Sequence, residues 1–317
     1  MLEILIPLAL ILAGFLLLIW SADFLVDNAS VLAGRLGLSA FIVGVVIIGF
    51  GTSAPEMFVS AMAALDNKGN LALGNALGSN ITNIGLVLGA AALMCTLPVS
   101  KSTTFRDIPV VIATGILAIA VARDGQISFI DGAILLIVLT VYLVWSGIND
   151  KKNGQTEDIP EDDNNKSTLY YVIATVISIA ALMAASKMLV IGSVSIAKML
   201  GIGELVIGLT IVAIGTSLPE LAAAVAAARK GAHDMIIGNI IGSNIFNTLG
   251  VLGVMGVIRS TSIDTTAIGR DFPIMFGFTI MMLLFAIIMR KFNRFSGLLF
   301  VGCYLAYVCY LVISTLK

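Results

Sequence analysis

Three motifs in this chain recur at one fixed offset of 164 residues, and that repetition limits its fold more than any other feature. Gly51-Thr52-Ser53-Ala54-Pro55-Glu56 returns as Gly215-Thr216-Ser217-Leu218-Pro219-Glu220. Gly74-Asn75-Ala76-Leu77-Gly78-Ser79-Asn80-Ile81-Thr82-Asn83 returns as Gly238-Asn239-Ile240-Ile241-Gly242-Ser243-Asn244-Ile245-Phe246-Asn247. Arg106-Asp107-Ile108-Pro109 returns as Arg270-Asp271-Phe272-Pro273. Three motifs in register mark a duplication of the whole chain.

Each copy holds five apolar stretches of the ~20 residues that a bilayer crossing needs. In the first half they run from the N-terminus past Trp20 towards Arg35, over 41–65, 71–97, from Asp107 to Val121, and over 129–145. In the second they cover 169–191, 205–228, 235–258, 272–290 and 295–315. Five is odd, so the second half must enter the membrane from the face opposite to the first. The expected fold is an all-α polytopic membrane protein of ten transmembrane helices in two inverted repeats of five, with a site at their interface near the midplane.

Composition supports this reading. Of 317 residues, 59% are hydrophobic and 12% charged, which excludes an ordinary soluble domain. The net charge of −1 gives no reason to expect a nucleic-acid partner or a polybasic surface arm. Glu3 stands where a signal peptide would carry basic residues, so the first apolar run is read as a transmembrane helix. Cys95, Cys303 and Cys309 lack metal-site spacing and are read as small core or lipid-facing residues. The single histidine, His233, falls in a polar connection, which argues against a zinc site or a catalytic triad.

One break in composition separates the halves, giving repeats at 1–147 and 168–317 and a linker at 148–167. The linker carries Lys151, Lys152, Glu157, Asp158, Glu161, Asp162 and Asp163 and reads as a solvated loop, with calcium sensing as the alternative. If the N-terminus lies outside, the inner connections hold Arg35, Lys101, Arg106, Lys151, Lys152, Lys166, Arg229, Lys230, Arg290, Lys291 and Arg294. The outer ones keep Lys68, Arg123, Lys198, Arg259, Arg270 and Lys317, so the basic bias places the N-terminus outside and the linker in the cytoplasm.

The hexapeptides carry the chemistry. Pro55 and Pro219 have no N–H to offer and crowd the carbonyls of Gly51 and Gly215, so each helix is expected to kink or break there. Freed carbonyls at membrane depth are tolerable only beside a polar cavity. Glu56 and Glu220 then stand at the start of a half-helix, whose dipole favours a carboxylate. A proline kink that serves packing alone would not call for Thr, Ser and Glu around it.

Thr52, Glu56 and Ser60 share one helical face, as do Thr216 and Glu220, with Ala224 in place of the serine. Asn75, Ser79 and Asn83 form a second polar stripe, repeated by Asn239, Ser243 and Asn247; hydrogen bonds within the bundle are its alternative role. Gly74/Gly78 and Gly238/Gly242 are spaced for close helix approach. Together the four helices offer carboxylate, amide, hydroxyl and carbonyl oxygens without sulfur or imidazole. Hard donors of that kind suit Ca²⁺ or Na⁺ and not zinc or copper.

With these motifs the chain resembles the sodium/calcium exchangers of the cation/calcium exchanger superfamily over nearly its whole length, the linker excepted. The resemblance implies ten helices in two inverted halves, ions bound among the second, third, seventh and eighth, and sliding first and sixth helices. It makes Glu56 and Glu220 the shared ligands of Ca²⁺ and Na⁺. Thr52, Ser53, Thr216 and Ser217 would add hydroxyl or carbonyl oxygens. Ser79 and Ser243 would line outer sodium sites, Asn83 and Asn247 the midplane, and Gly49 and Ala213 would coordinate through backbone carbonyls. Some members carry an aspartate where Asn247 stands here, so the ion ratio is left open.

The implied activity is secondary active antiport of Na⁺ for Ca²⁺ across the plasma (inner) membrane, with no enzymatic chemistry and no cofactor beyond the transported ions. The bilayer is the expected surrounding, and a monomer suffices. The alternative within the superfamily is a proton/calcium exchanger. An intramembrane hydrolase with two acids, or a passive cation channel, would need neither the duplicated motifs nor the inverted repeat.

Overall fold

A computed structural model describes residues 2–153, 166–201, 213–263 and 265–315. Most of the linker and the beginning of the seventh expected span, 202–212, lie outside the described residues. The helices are α1 (Leu2–Leu36), α2 (Ala40–Leu65), α3 (Gly69–Met94), α4 (Thr103–Val121) and α5 (Phe129–Asn153). The second half has α6 (Thr168–Met199), α7 (Leu218–Arg229, preceded by the turn Ala213–Thr216), α8 (His233–Ile258), α9 (Thr265–Met289) and α10 (Arg294–Thr315). Nine of them are long and apolar enough, among the described residues, to cross a bilayer. The chain is a multi-pass helical membrane protein.

Four two-residue strands close the topology. Leu97–Pro98 (β1) pairs antiparallel with Lys291–Phe292 (β4), and Gln126–Ile127 (β2) pairs with Thr261–Ser262 (β3). The ladders are near-images of one another: the 164-residue offset carries Leu97 onto Thr261 and Phe292 onto Ser128, one residue past Ile127, the partner of Thr261. Paired strands must lie at the same membrane face, so an even number of crossings separates them. Between β1 and β4 stand the six helices α4 to α9. One crossing, α4, separates β1 from β2, which puts the two ladders at opposite faces. Each half thus closes on the other at both ends of the bundle, the geometry of an inverted repeat.

The long helices α1 and α6, of 35 and 32 residues, exceed the ~20 residues that span a bilayer and lie antiparallel against each other. A Cβ on Gly14 would stand 3.0 Å from the Ala185 carbonyl oxygen, and one on Gly192 2.7 Å from that of Pro7. Both helices stop at a glycine with positive φ, Gly37 at +64° and Gly201 at +73°, a conformation that side chains with a Cβ resist. At the end of α7, Arg229 reaches Asp23 at 3.4 Å and Lys230 reaches Asp27 at 2.7 Å, which gives these two acids of α1 their partners.

Burial ranks the helices. About nine-tenths of the most apolar stretch of α8 is buried (89%), and 72% of that in α3, against 22% in α1 and in α10. The polar-striped helices are therefore the centre of the bundle, and apolar side chains such as Leu16, Ile137 and Leu298 cover its rim. Helix α2 reaches α8 almost backbone to backbone. A Cβ on Gly238 would fall on the Phe41 carbonyl oxygen, and one on Gly242 would meet the Val45 Cα at 2.7 Å. At Gly74 and Gly78 nothing described lies within 4 Å; the segment equivalent to 41–45 is 205–209, outside the described residues. The repeated Arg-Asp motif forms the same two-bond contact twice, Arg106 to Asp107 at 2.7 and 3.2 Å and Arg270 to Asp271 at 2.7 and 3.1 Å.

Candidate cation site

The two hexapeptides do not share one backbone. The first remains helical through Pro55, within a continuous segment Gly49–Leu65. Its irregularity lies earlier, in the π-helical turn Val43–Ile48. The second is interrupted: Ala213–Thr216 ends at Ser217, which has φ −93° and ψ 7°, and α7 begins at Leu218. Of the kink or break expected at each proline, the second copy shows a break, while the first keeps its helix unbroken through Pro55. Two more π-helical turns flank the central asparagines, since Asn83 opens Asn83–Leu88 and Asn247 lies within Phe246–Val251. Such turns insert one extra residue and recur at functional sites.

Both carboxylates are buried at the core, Glu56 at 0% exposure and Glu220 at 1%, and they interact electrostatically. Neither oxygen of Glu56 has a hydrogen-bond partner among the described residues, nor does Glu220 Oε2. The same holds for both amide atoms of Asn83 and of Asn247, for Ser217 Oγ and for Asn239 Nδ2. Leaving one such group unmatched costs several kcal/mol if it is charged. The oxygens among these atoms are of the hard kind that a desolvated Ca²⁺ or Na⁺ would satisfy.

Ser217-Leu218-Pro219-Glu220 has the residue pattern of a helix capping box, in which Ser and Glu each bond the backbone of the other. Ser217 does occupy the cap position of α7, yet its side chain makes no capping bond. Its hydroxyl oxygen and Glu220 Oε2 are left for another partner, in the first turn of α7 where the helix dipole is positive at its end.

The partnered atoms bind the halves together. Ser53 Oγ donates to Glu220 Oε1 at 3.4 Å. Thr52 Oγ1 lies 3.0 Å from the Ile48 carbonyl and 3.4 Å from Asn239 Oδ1. Ser243 Oγ lies 3.5 Å from the Gly49 carbonyl oxygen and 3.4 Å from Asn239 Oδ1. Thr52, Ser53 and Ser243 are almost fully buried. Ser79 is buried on α3, and Thr216 is half-buried on the turn before the break. Ala213 is the first described residue of that turn.

Two residues outside the expected ligand set belong to the same network. Asn239 receives from Thr52 and Ser243, and Asn75 donates to the Glu56 carbonyl at 3.2 Å and to Ser60 Oγ at 3.1 Å. Their place in the polar stripes was the signal available for them. No group of three or more His, Cys, Asp or Glu side chains that could hold a metal ion occurs among the described residues; the acids of the network described here are Glu56 and Glu220.

Comparison with known proteins gives a consistent result. A family model described as sodium/calcium exchanger protein matches residues 6–147 and 170–313. The chain is 41% identical to the putative antiporter CaxA of Alkalimonas amylolytica, covering 96% of this chain and 98% of that one. It is 39% identical to the inner membrane protein YrbG of Escherichia coli (strain K12), over 84% of each, and 28% identical to the sodium/calcium exchanger MaX1 of Methanosarcina acetivorans, over 94% and 96%. The solved sodium-calcium exchanger NCX_Mj superposes with a TM-score of 0.84 at 33% identity, covering 96% of this chain and 98% of that one.

Proposed function

The chain belongs to the sodium/calcium exchanger family and is a cation/calcium antiporter, and on that premise we propose that it exchanges Na⁺ for Ca²⁺ by alternating access, extruding calcium across the plasma membrane. One observation carries the proposal: two buried carboxylates from opposite halves present three oxygens without protein partners, among amide and hydroxyl oxygens of α2, α3, α7 and α8. Two negative charges neutralise one Ca²⁺, or most of the charge of a set of Na⁺ ions, so both cargoes can occupy the same oxygens in turn. The ligands are Glu56 and Glu220, with Thr52, Ser53, Thr216, Ser217, Ser79, Ser243, Asn83 and Asn247 around them and the Gly49 and Ala213 carbonyls completing the shell.

The bias of Lys and Arg orients the chain with its N-terminus outside and the 148–167 linker in the cytoplasm, between repeats 1–147 and 168–317. One chain contains both halves of the site, so a monomer suffices. The test is radiocalcium uptake into proteoliposomes under an outward sodium gradient and, separately, a proton gradient. Uptake driven by sodium alone supports the proposal; uptake driven by protons alone assigns the chain to proton/calcium exchange.

A further inference from the structure

Pro219 carries no N–H, so the Gly215 carbonyl lacks the donor that a helix would place four residues later. In the structure that oxygen accepts the hydroxyl hydrogen of Ser186, on α6. Ser186 is 6% exposed and lies 29 positions away in the chain, so this is a tertiary contact made in the core. Around it the backbone is broken. Ser217 N–H reaches back only three residues, to the Ile214 carbonyl at 3.1 Å, and α7 starts anew with Leu221 N–H on the Ser217 carbonyl at 3.1 Å.

The first hexapeptide supplies the control. It has the same proline and the same glycine, yet its helix continues from Gly49 to Leu65. The position on α1 equivalent to Ser186 is Ala22, which has no hydroxyl. Beside the bond α6 packs on the turn, and a Cβ on Gly215 would fall on Val190 Cγ2.

We propose that Ser186 is a positioning residue for cation exchange: its hydroxyl holds the Gly215 carbonyl, fixes the break at Ser217, and so sets where the Ser217 and Glu220 oxygens stand. It touches no ion itself. Because α6 carries the hydroxyl and α7 the ligands, the bond also ties the position of a long helix to the geometry of the site. The inference rests on the exchange reading given above.

The test uses the purified full chain and two readouts, equilibrium binding of radiocalcium without sodium and hydrogen–deuterium exchange of the amides from Thr216 to Leu221. Ser186→Ala is expected to speed exchange at those amides and to weaken calcium binding about threefold to tenfold, the range of one neutral hydrogen bond. Ser186→Thr, which keeps the hydroxyl, restores both. In a Pro219→Ala background the new N–H takes over the Gly215 carbonyl, and Ser186→Ala then changes amide exchange less than twofold.

Wild-type behaviour of Ser186→Ala, or an equal effect in both backgrounds, overturns the proposal. A Ser186→Ala variant that folds only with Pro219→Ala supports it, and one that folds in neither background overturns it. If the unaltered protein binds no calcium, the exchange reading fails, while amide exchange at Thr216–Leu221 still decides whether Ser186 holds the break.

Discussion

The Ser53 hydroxyl donates to Glu220 Oε1 at 3.4 Å, so a residue of the first hexapeptide completes the carboxylate of the second. Ser243, in the opposite direction, reaches the Gly49 carbonyl. Neither half contains both carboxylates. A cation that binds Glu56 and Glu220 together must draw on both halves at once, which makes ion occupancy able to govern how the halves sit on each other.

Removing either carboxylate should abolish exchange. Glu56→Gln and Glu220→Gln each leave one negative charge against a divalent ion in a site without bulk water. Breaking a buried charge pairing on one side costs ~3–5 kcal/mol, or at least a hundredfold in affinity. We expect calcium uptake by either variant to fall at least about a hundredfold, with a monodisperse profile in size-exclusion chromatography. Near-normal uptake by a folded variant would exclude that residue as a ligand.

Losing the Ser53 hydroxyl should cost less. Ser53→Ala removes one long hydrogen bond from Glu220 and leaves both charges in place, so calcium binding should weaken about twofold to tenfold. The double variant Ser53→Ala with Glu220→Gln should be no worse than Glu220→Gln alone, because the two residues act through one contact. Additive losses in a binding isotherm would separate them.

The membrane potential should drive the exchange. With Asn83 and Asn247 neutral, the site holds a charge of about −2; one Ca²⁺ cancels it, while the three Na⁺ suggested by the family resemblance leave about +1. One charge crossing the full field is worth ~2.3 kcal/mol per 100 mV. In sodium-loaded vesicles clamped with potassium and valinomycin, an inside-positive potential should raise the initial rate of calcium uptake. A rate indifferent to potential would mean two Na⁺ per Ca²⁺.

Close packing of α2 on α8 predicts a steep cost for side chains at Gly238. A Cβ there would fall on the backbone of Phe41, which cannot move aside as a flexible side chain could. Gly238→Val should destabilise the protein by ~2–4 kcal/mol, seen as a lower midpoint of thermal unfolding in detergent. Gly302→Ala on α10, where nothing stands within 4 Å, should shift it by under ~1 kcal/mol.

Much of this molecule can be read along the chain, because its determinants are local there. Apolar runs set the crossings, the 164-residue offset and five runs per half set the inversion, and Pro beside Glu in an apolar run marks Glu56 and Glu220. The polar stripes pointed to α3 and α8 before any contact was known. Other features depend on which helix lies across from which. Two hexapeptides alike in Gly, Thr, Ser, Pro and Glu become one continuous helix and one broken one, since a proline states only that a carbonyl is left without its donor. Whether another donor stands opposite is a tertiary fact: Ser186 meets Gly215, while Ala22 holds the equivalent place on α1. Nothing in the residues around Ser186 distinguishes it from any serine buried in a membrane helix. Asn239 likewise gained its partners Thr52 and Ser243, and β1 its partner β4, only when distant segments met. Hydrophobic length and helical period are properties of a segment alone, whereas a hydrogen bond between helices belongs to the pair, and the folded bundle decides the pairing.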